Sequence, residues 1–599
     1  MNESEVHNTS DISTIEKLTM QNREATKYDF ENMELSPDTE NAETVLDPEL
    51  ISSAENTNLF EYEQTHLNKR YKGFFKNMNP DEIVSWQGSL LKKPLLKLPG
   101  SLEEIALQLF KNLVSYMGDR SSSKAPPLHA LKHTRLALRA PEEVKDEAYL
   151  QVIKQITRNP NPNRCVRGWN MLAIMASCYP PSMELYHALI HYFLDIIKTG
   201  DEDLAKRANY IAIRLSKTFE SRRKIAPSDI EIKHVEAMKP IVIQMNFFSG
   251  AATSCQVESY TTVRELKTIV MRKLELNISR IPYFSIYEMC IKPDCIEERY
   301  INEFEKVCDI LAVWQKETES YKEKNINVEF KFYLKLLLYY EYNPEDIDSV
   351  TMTYVQCNFE IIKGLYNLTE EEIIKLAAIQ LYIDYGNLSQ DEIQSNLREH
   401  IRDFVPFNKF QINSESAWAD KILQEYSNVN LSSKLEAKNA YLNLIKGNDL
   451  FESCQFTCRY DSKINTANNN SQNEPNPSHI PEDCIVAVKP KEIIICDANR
   501  NKIYSIPLTL IASWGVNSEM FVIVEKKSEK EYSKSYFYCN LPKLFKIIID
   551  TYTNALVGKN MVEIMTERVE TCKLFESLPI TKLKPGESLR TRQSTIYPK

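Results

Sequence analysis

His187 and His191 stand four residues apart in a stretch of helical spacing, which puts both imidazoles on one helix face, as a zinc site requires. Ala188 occupies the place of the glutamate that a hydrolytic zinc helix uses as its base, and the pattern offers no third ligand. The pair therefore reads as structural or surface histidine. His129 and His133 repeat the spacing beside Pro126-Pro127 and read the same way. Cys290–Cys295 and Cys454–Cys458 are spaced more widely than the two-residue gap of a zinc knuckle, and a buried thiol is the ordinary role of such cysteines. The Gly558-Lys559 pair is followed by Asn560, and Thr553 fills the first-glycine position, so no phosphate-cradling loop is formed. A Gly-x-Ser-x-Gly elbow and an Asp-Phe-Gly motif are both missing. The expectation is a non-enzymatic protein with no catalytic residues, cofactor or metal.

Clustered charge is more informative. Lys206, Arg207, Arg214, Lys217, Arg222, Arg223 and Lys224 fall within one helical stretch and its exit. Two turns separate Arg207 from Arg214 and one more reaches Lys217, so several of these cations share a side. Such a face attracts a flexible polyanion with an affinity that salt weakens. A second basic stretch, Lys582, Lys584, Arg590, Arg592 and Lys599 opposed only by Glu587, suits an anionic lipid surface or a solvated tail. The net charge of −10 is concentrated elsewhere: residues 1–60 hold 14 Asp/Glu against three Lys/Arg, leaving the body nearly neutral and without the basic balance of a nucleic-acid binder.

The elements that must position these residues divide a chain of 599 residues, too long for one core. Uninterrupted apolar runs of membrane-spanning length are missing, the first residues are polar and acidic, and 13 cysteines without a secretory signal read as reduced cytosolic thiols. Residues 1–65 have the composition of a disordered acidic arm. Over 66–238 the period is helical. Ser101-Leu102-Glu103-Glu104 forms a capping box ahead of Ile105, Ala106, Leu109, Phe110 and Leu113, Gly118 is a stop, and further helices cover 146–157, 169–178, 183–198 and 204–220. At Pro240 the pattern changes to strand, turn and strand, followed by a helix capped by Thr262 and Glu265, the order of a ubiquitin-like lobe over 239–325. Helices return over 326–445, one at 330–339 and one opened by Thr369-Glu370-Glu371-Glu372. Residues 446–560 carry short strands at 484–488, 492–496, 510–514, 520–524 and 536–539, a closing helix at 541–556, and an Asn/Ser/Pro-rich insert at 462–482 expected to be a mobile loop. Residues 561–599 form a tail.

Tyr116-Met117-Gly118-Asp119, Asn159-Pro160-Asn161-Pro162-Asn163, Arg167-Gly168-Trp169, Tyr179-Pro180-Pro181-Ser182 and Ala226-Pro227-Ser228-Asp229, in this order, resemble the MyTH4 domain of unconventional myosin tails and of some kinesins. The remainder resembles a FERM domain through Phe284-Ser285-Ile286-Tyr287-Glu288, Lys375-Leu376-Ala377-Ala378-Ile379-Gln380, Phe404-Val405-Pro406 and Ser513-Trp514-Gly515. The resemblance implies a multidomain α+β chain: an all-α MyTH4 domain, then three FERM lobes that are ubiquitin-like, helical and PH/PTB-like, with no motor domain in the chain. It implies a basic MyTH4 surface for microtubules. It also implies a peptide groove in the third lobe, placed between the strand at 534–539 and the helix at 541–556 and shaped by Tyr536, Tyr538, Phe545 and Ile549. The expected role is a cytoplasmic, cytoskeleton-associated adaptor joining tubulin or an actin-linked protein to a cargo or receptor cytoplasmic peptide. Alternatives are a membrane-proximal scaffold for phosphoinositides and receptor tails, or a tail subunit working with a separate myosin or kinesin motor.

Overall fold

The computed structural model describes residues 46, 48–54, 57–68, 71–72, 76–77, 80–220, 223–275, 282–293, 295–339, 343–386, 388–460, 480–529, 531–559 and 594–598, with backbone alone at 71–72, 76–77, 80–81, 220 and 594–598. Most of the acidic arm and the Asn-rich insert lie outside these residues. The last part of the arm is folded, however. Helices α1 (Pro48–Ala54) and α2 (Leu59–His66) bury Ala54, Leu59 and Tyr62 in the helical core, and the Tyr62 hydroxyl donates to Asp146 at 2.9 Å. Acidic composition masked this apolar spacing. A two-stranded ribbon, β1 (Tyr71–Lys72) and β2 (Lys76–Asn77), and the short α3 (Pro80–Ile83) lead into the main bundle.

That bundle consists of α4 (Gly100–Met117), α5 (Pro126–Arg139), α6 (Glu142–Ile156), α7 (Pro162–Ala176), α8 (Met183–Thr199), α9 (Glu202–Glu220) and α10 (Asp229–Glu236). Helix α4 buries Ala106, Leu109, Phe110 and Leu113 and stops at Gly118, whose φ of 87° lies in the left-handed region. Its start corrects the expected capping box: α4 begins a residue before Ser101, and no side chain caps it. Helix α5 was not expected from the periodicity. Its Pro126-Pro127 pair sits at the first helical positions, where a missing N–H costs nothing.

Helix α6 is buried on every side, yet it carries Asp146, Glu147, Gln151, Lys154 and Gln155. These polar groups satisfy irregular backbone packed around the helix. Glu147 accepts from the amides of Leu95 and Leu96 at 2.8 and 2.7 Å, Gln151 donates to the Ala106 carbonyl at 2.9 Å, and Lys154 donates to the Ile83 carbonyl at 2.7 Å. The signature Arg167-Gly168-Trp169 works by packing. A Cβ on Gly168 would stand 2.2 Å from Ile156 Cγ2, so α6 and α7 touch through the missing side chain, while buried Trp169 stacks on Tyr192 with ring centroids 6.5 Å apart. Arg167 points outward, reaching the Met117 carbonyl at 3.5 Å.

The first lobe after the bundle contains β3 (Ile241–Asn246), β4 (Ala252–Val257), α11 (Val263–Lys273), β5 (Phe284–Ile291), β6 (Cys295–Tyr300), α12 (Val307–Glu323) and β7 (Glu329–Leu336). Thr262 and Glu265 form the expected reciprocal box at the start of α11. The expected helix at 330–339 is instead β7, which pairs antiparallel with β5 and parallel with β3 inside this sheet. Phe330, Phe332, Leu334 and Leu336 alternate with Lys331, Tyr333 and Lys335, a period of two, and Phe332 and Leu334 are buried in the lobe's core. A division at 325/326 therefore cuts through the sheet.

The second lobe is α13 (Ile347–Ile362), α14 (Glu370–Tyr385), α15 (Gln390–Glu399), α16 (Glu415–Tyr426) and α17 (Lys434–Ile445), with α14 opened by the expected Thr369–Glu372 box. The third lobe has β8 (Cys454–Tyr460), β9 (Asp483–Val488), β10 (Glu492–Asp497), β11 (Lys502–Pro507), β12 (Ile511–Val516), β13 (Met520–Lys526) and β14 (Tyr532–Cys539), closed by α18 (Pro542–Leu556). Strand order is β11-β10-β9-β8-β14-β13-β12. Ile485, Ala487, Ile494 and Cys496 face the helical lobe and Val486, Val488, Ile493 and Ile495 face α18, so β9 and β10 are apolar on both sides. The three lobes meet around Tyr339, whose amide donates to the Tyr552 hydroxyl of α18 at 2.8 Å, while buried Glu360 of α13 accepts from the hydroxyls of Tyr339 and Tyr366 at 3.2 and 3.3 Å. Burial raises the pKa of this carboxyl. A last strand, β15 (Ser594–Pro598), lies against β6.

Replacing Gly168 with Ala is expected to destabilise the helical domain by about 1–3 kcal/mol through overpacking against Ile156. Gly100→Ala, with open space around it, is expected to be neutral or slightly stabilising. Calorimetric melting of the two variants beside the parent checks both.

Candidate functional site

The basic stretch at 206–224 does not form one face. Lys206 and Lys224 are exposed. Arg207 is half-buried, donating to Asp203 at 2.9 Å and to Asn170 at 3.1 Å. Lys217 is half-buried, and Arg222 lies outside the described residues. Arg214 and Arg223 turn inward. Arg214 is 2% exposed, stacked 3.8 Å from the Tyr210 ring centroid and paired with Glu258 beyond the end of β4. Arg223 is paired with Glu231 of α10 and, at 2.8 Å, with Asp309 of α12. Against the opposing cost of burial, Tyr210 and Glu258 raise the pKa of Arg214, and Glu231 and Asp309 raise that of Arg223. These two arginines join the helical domain to the ubiquitin-like lobe, assisted by the Asp229 amide donating to Gln315 at 2.8 Å. An external polyanion cannot reach them.

A different basic face exists on α5 and the turn before it. Lys132, Arg135 and Arg139 are exposed at three- and four-residue intervals along one side of the helix, with Arg120 and Lys124 exposed nearby. Among the described residues none of the five pairs with a carboxylate. The crowding disfavours further positive charge. Lys124 beside Lys132 lowers the pKa of that ammonium, and burial together with Lys132, Lys124 and Arg120 lowers that of His129. Lys132, Arg135, Leu136 and Arg139 line a shallow groove of about 350 Å³ with Gln108 and Asn112 of α4. The sequence signal was present, as basic residues at helical spacing behind Pro126-Pro127, but it needed α5 to be recognised as a helix.

The histidines show no converging ligands. His129 Nε2 lies 2.7 Å from Ser122 Oγ, and burial pushes His133 down to about 3, leaving a neutral imidazole. His191 Nδ1 is 3.8 Å from Asp195. Among the described residues no group of three His, Cys, Asp or Glu side chains is placed to hold a metal. Nor is any helix among them long and apolar enough to cross a membrane.

The expected peptide groove is also displaced. Strand β14 pairs with β13 along its length and with β8 at Phe537–Cys539, so the end of the strand that leads into α18 is covered on both sides. Phe545 and Ile549 are fully buried, Phe545 stacking on Phe521 at 3.8 Å between centroids. Tyr536 and Tyr538 alternate onto the opposite face of the sheet, where Arg459 lies 4.9 Å from the Tyr538 ring centroid. The four residues do not share a groove. The sheet edge beside α18 is β12. Trp514 of that strand donates to Asp550 of α18 at 2.6 Å, and Lys546 binds the other oxygen of the same carboxylate at 2.6 Å.

A helical bundle fused to a three-lobed sheet–helix–sheet module defines the class. The MyTH4 domain model matches residues 136–234, an RA-like domain model residues 239–338 and the FERM central domain model residues 342–452. The solved MyTH4-FERM MF1 domain of Dictyostelium discoideum myosin VII superposes with a TM-score of 0.69 at 20% identity, covering 86% of this chain and 99% of that one. The C-terminal MyTH4-FERM domain of human myosin 7b, solved in complex with the harmonin-a PDZ3 domain, gives 0.61 at 22% identity over 84% and 97%. Among curated proteins, a Dictyostelium discoideum myosin-I heavy chain is 24% identical over 434 residues, 69% of this chain and 18% of the relative. The Arabidopsis thaliana kinesin-like protein KIN-14E is 22% identical over 397 residues, 62% of this chain and 31% of the relative. The chain thus spans less than a third of either relative. It carries a MyTH4 domain followed by FERM-type lobes and is homologous to the tails of unconventional myosins and kinesin-14 proteins.

Arg223→Ala removes one member of a buried ion cluster and strands Glu231, an expected cost of about 3–5 kcal/mol. Lys206→Ala, on the exposed side of α9, is expected to stay within about 0.5 kcal/mol. Chemical denaturation followed by tryptophan fluorescence distinguishes them.

Proposed function

We propose that this protein is a non-enzymatic cytoplasmic adaptor that binds a cytoskeletal polyanion through its MyTH4 domain and a partner's extended peptide through its FERM domain. The observation that carries the reading is the unneutralised face of Arg120, Lys124, Lys132, Arg135 and Arg139. Five cations without carboxylate partners raise the local potential, and a flexible acidic chain, such as the tail of tubulin, gains most from such a groove because it can follow the row along α5. Homology to both kinesin-14 and myosin tails favours a cytoskeletal partner over a membrane one. On the FERM side, the edge of β12 beside α18, which no described strand covers, suits strand addition. The complex of the human myosin 7b relative with a harmonin PDZ domain supports protein binding by this kind of tandem.

Charge reversal tests the reading directly. The triple variant Lys132→Glu, Arg135→Glu, Arg139→Glu is expected to co-sediment with microtubules about tenfold more weakly at low salt, with the difference shrinking as salt screens the interaction. Reversal of Lys206 and Lys224 is expected to do much less. Unchanged microtubule binding with lost flotation on phosphoinositide vesicles would overturn the cytoskeletal reading in favour of the membrane one.

A further inference from the structure

The sheet of the ubiquitin-like lobe has the order β15-β6-β5-β7-β3-β4, and its first member comes from the far end of the chain. Ser594, Thr595, Ile596, Tyr597 and Pro598 pair antiparallel with Arg299, Glu298, Glu297, Ile296 and Cys295. Without β15, β6 pairs with β5 alone and presents a row of backbone donors and acceptors to solvent. We propose that the outer edge of β6 is a strand-addition site for an extended peptide, and that Ser594–Pro598 of the same chain is its resident occupant.

Three features support the assignment. Thr595-Ile596-Tyr597 is a run of β-branched and aromatic residues, the types that suit a strand, and Pro598, which has no N–H to donate, falls at the strand's last position. Inward-pointing charge commonly protects a free edge, but the carboxylates of β6 are neutralised: Lys335 binds Glu298 at 3.1 Å and Lys292 pairs with Glu297. The edge therefore carries no unpaired carboxylate to repel a neighbour. Reach is also sufficient within one chain. Ile547 of α18 packs on Tyr300, the last residue of β6, and the 34 residues 560–593 can span up to about 110–120 Å. A partner that adds a strand to this lobe must first displace the chain's own segment, which makes Ser594–Pro598 a built-in competitor at the β6 edge.

Hydrogen exchange on the whole chain tests this. The parent is compared with a Thr595→Pro, Ile596→Pro variant and with a chain ending at residue 593. Outward-facing β6 amides are expected to exchange about tenfold or more faster in both variants, while β5, paired on both sides, stays protected. A synthetic peptide of residues 590–599 is expected to restore protection in the shortened chain and to leave the parent unchanged. Equal exchange of β6 in all three proteins overturns the proposal. Protection that disappears on dilution, together with loss of a dimer by mass photometry, overturns it in favour of strand exchange between two copies.

Discussion

Arg223 holds the two halves of the molecule in register. Its guanidinium is buried between Glu231 of the helical domain and Asp309 of the ubiquitin-like lobe, with buried Arg214 and half-buried Glu258 making a second pair across the same junction. Buried ion pairs are weak sources of net stability, because desolvation offsets most of the Coulombic gain. Their effect here is geometric. An arginine fork with one carboxylate on each side of a boundary is satisfied in a narrow range of placements, and any other leaves charge buried and unpaired. Two such pins fix how the basic face on α5 sits relative to the edges of the FERM lobes.

The FERM lobes are locked by a different device. Continuous apolar surface runs from the helical lobe through both faces of β9 and β10 to α18, and buried Glu360 gathers the hydroxyls of Tyr339 and Tyr366 where the lobes meet. Burial of that carboxyl is tolerated because the hydroxyls donate to it. Helix α6 applies the same rule inside the MyTH4 domain, using Glu147 and Lys154 to satisfy irregular backbone that the surrounding chain leaves without partners. In each case buried polar chemistry serves architecture, and among the described residues charge or backbone is left unmatched at the α5 groove and the β12 edge. The edge of β6 would join them if β15 were removed.

Sequence periodicity located most helices of the MyTH4 domain, the reciprocal caps at Thr262 and Thr369 and five of the third lobe's strands, because these depend on contacts between residues close in the chain. It misread β7 as helix although Phe330, Phe332, Leu334 and Leu336 alternate, since a run this apolar satisfies either period over a few residues. It also missed α5, where buried histidines and a mixed basic pattern blur the apolar stripe. The β-rich Thr595-Ile596-Tyr597 was hidden by the basic charges around it.

The sequence by itself determined the domain series, since ordered motifs such as Arg167-Gly168-Trp169 record local packing requirements that few alternatives meet. It also determined that basic residues cluster. Only the tertiary structure decided which cations face solvent. Arg214 and Arg223 look identical in sequence to Lys206, but carboxylates from Glu258 and Asp309, more than forty residues away in the chain, draw them inward. Strand order likewise set which described strand stands at the edge: β14 precedes α18 in sequence, yet β13 along its length and β8 at its last residues pair with it, and β12 is the edge strand beside the helix. Long-range pairing makes such choices, and a single sequence carries no direct record of which distant groups meet.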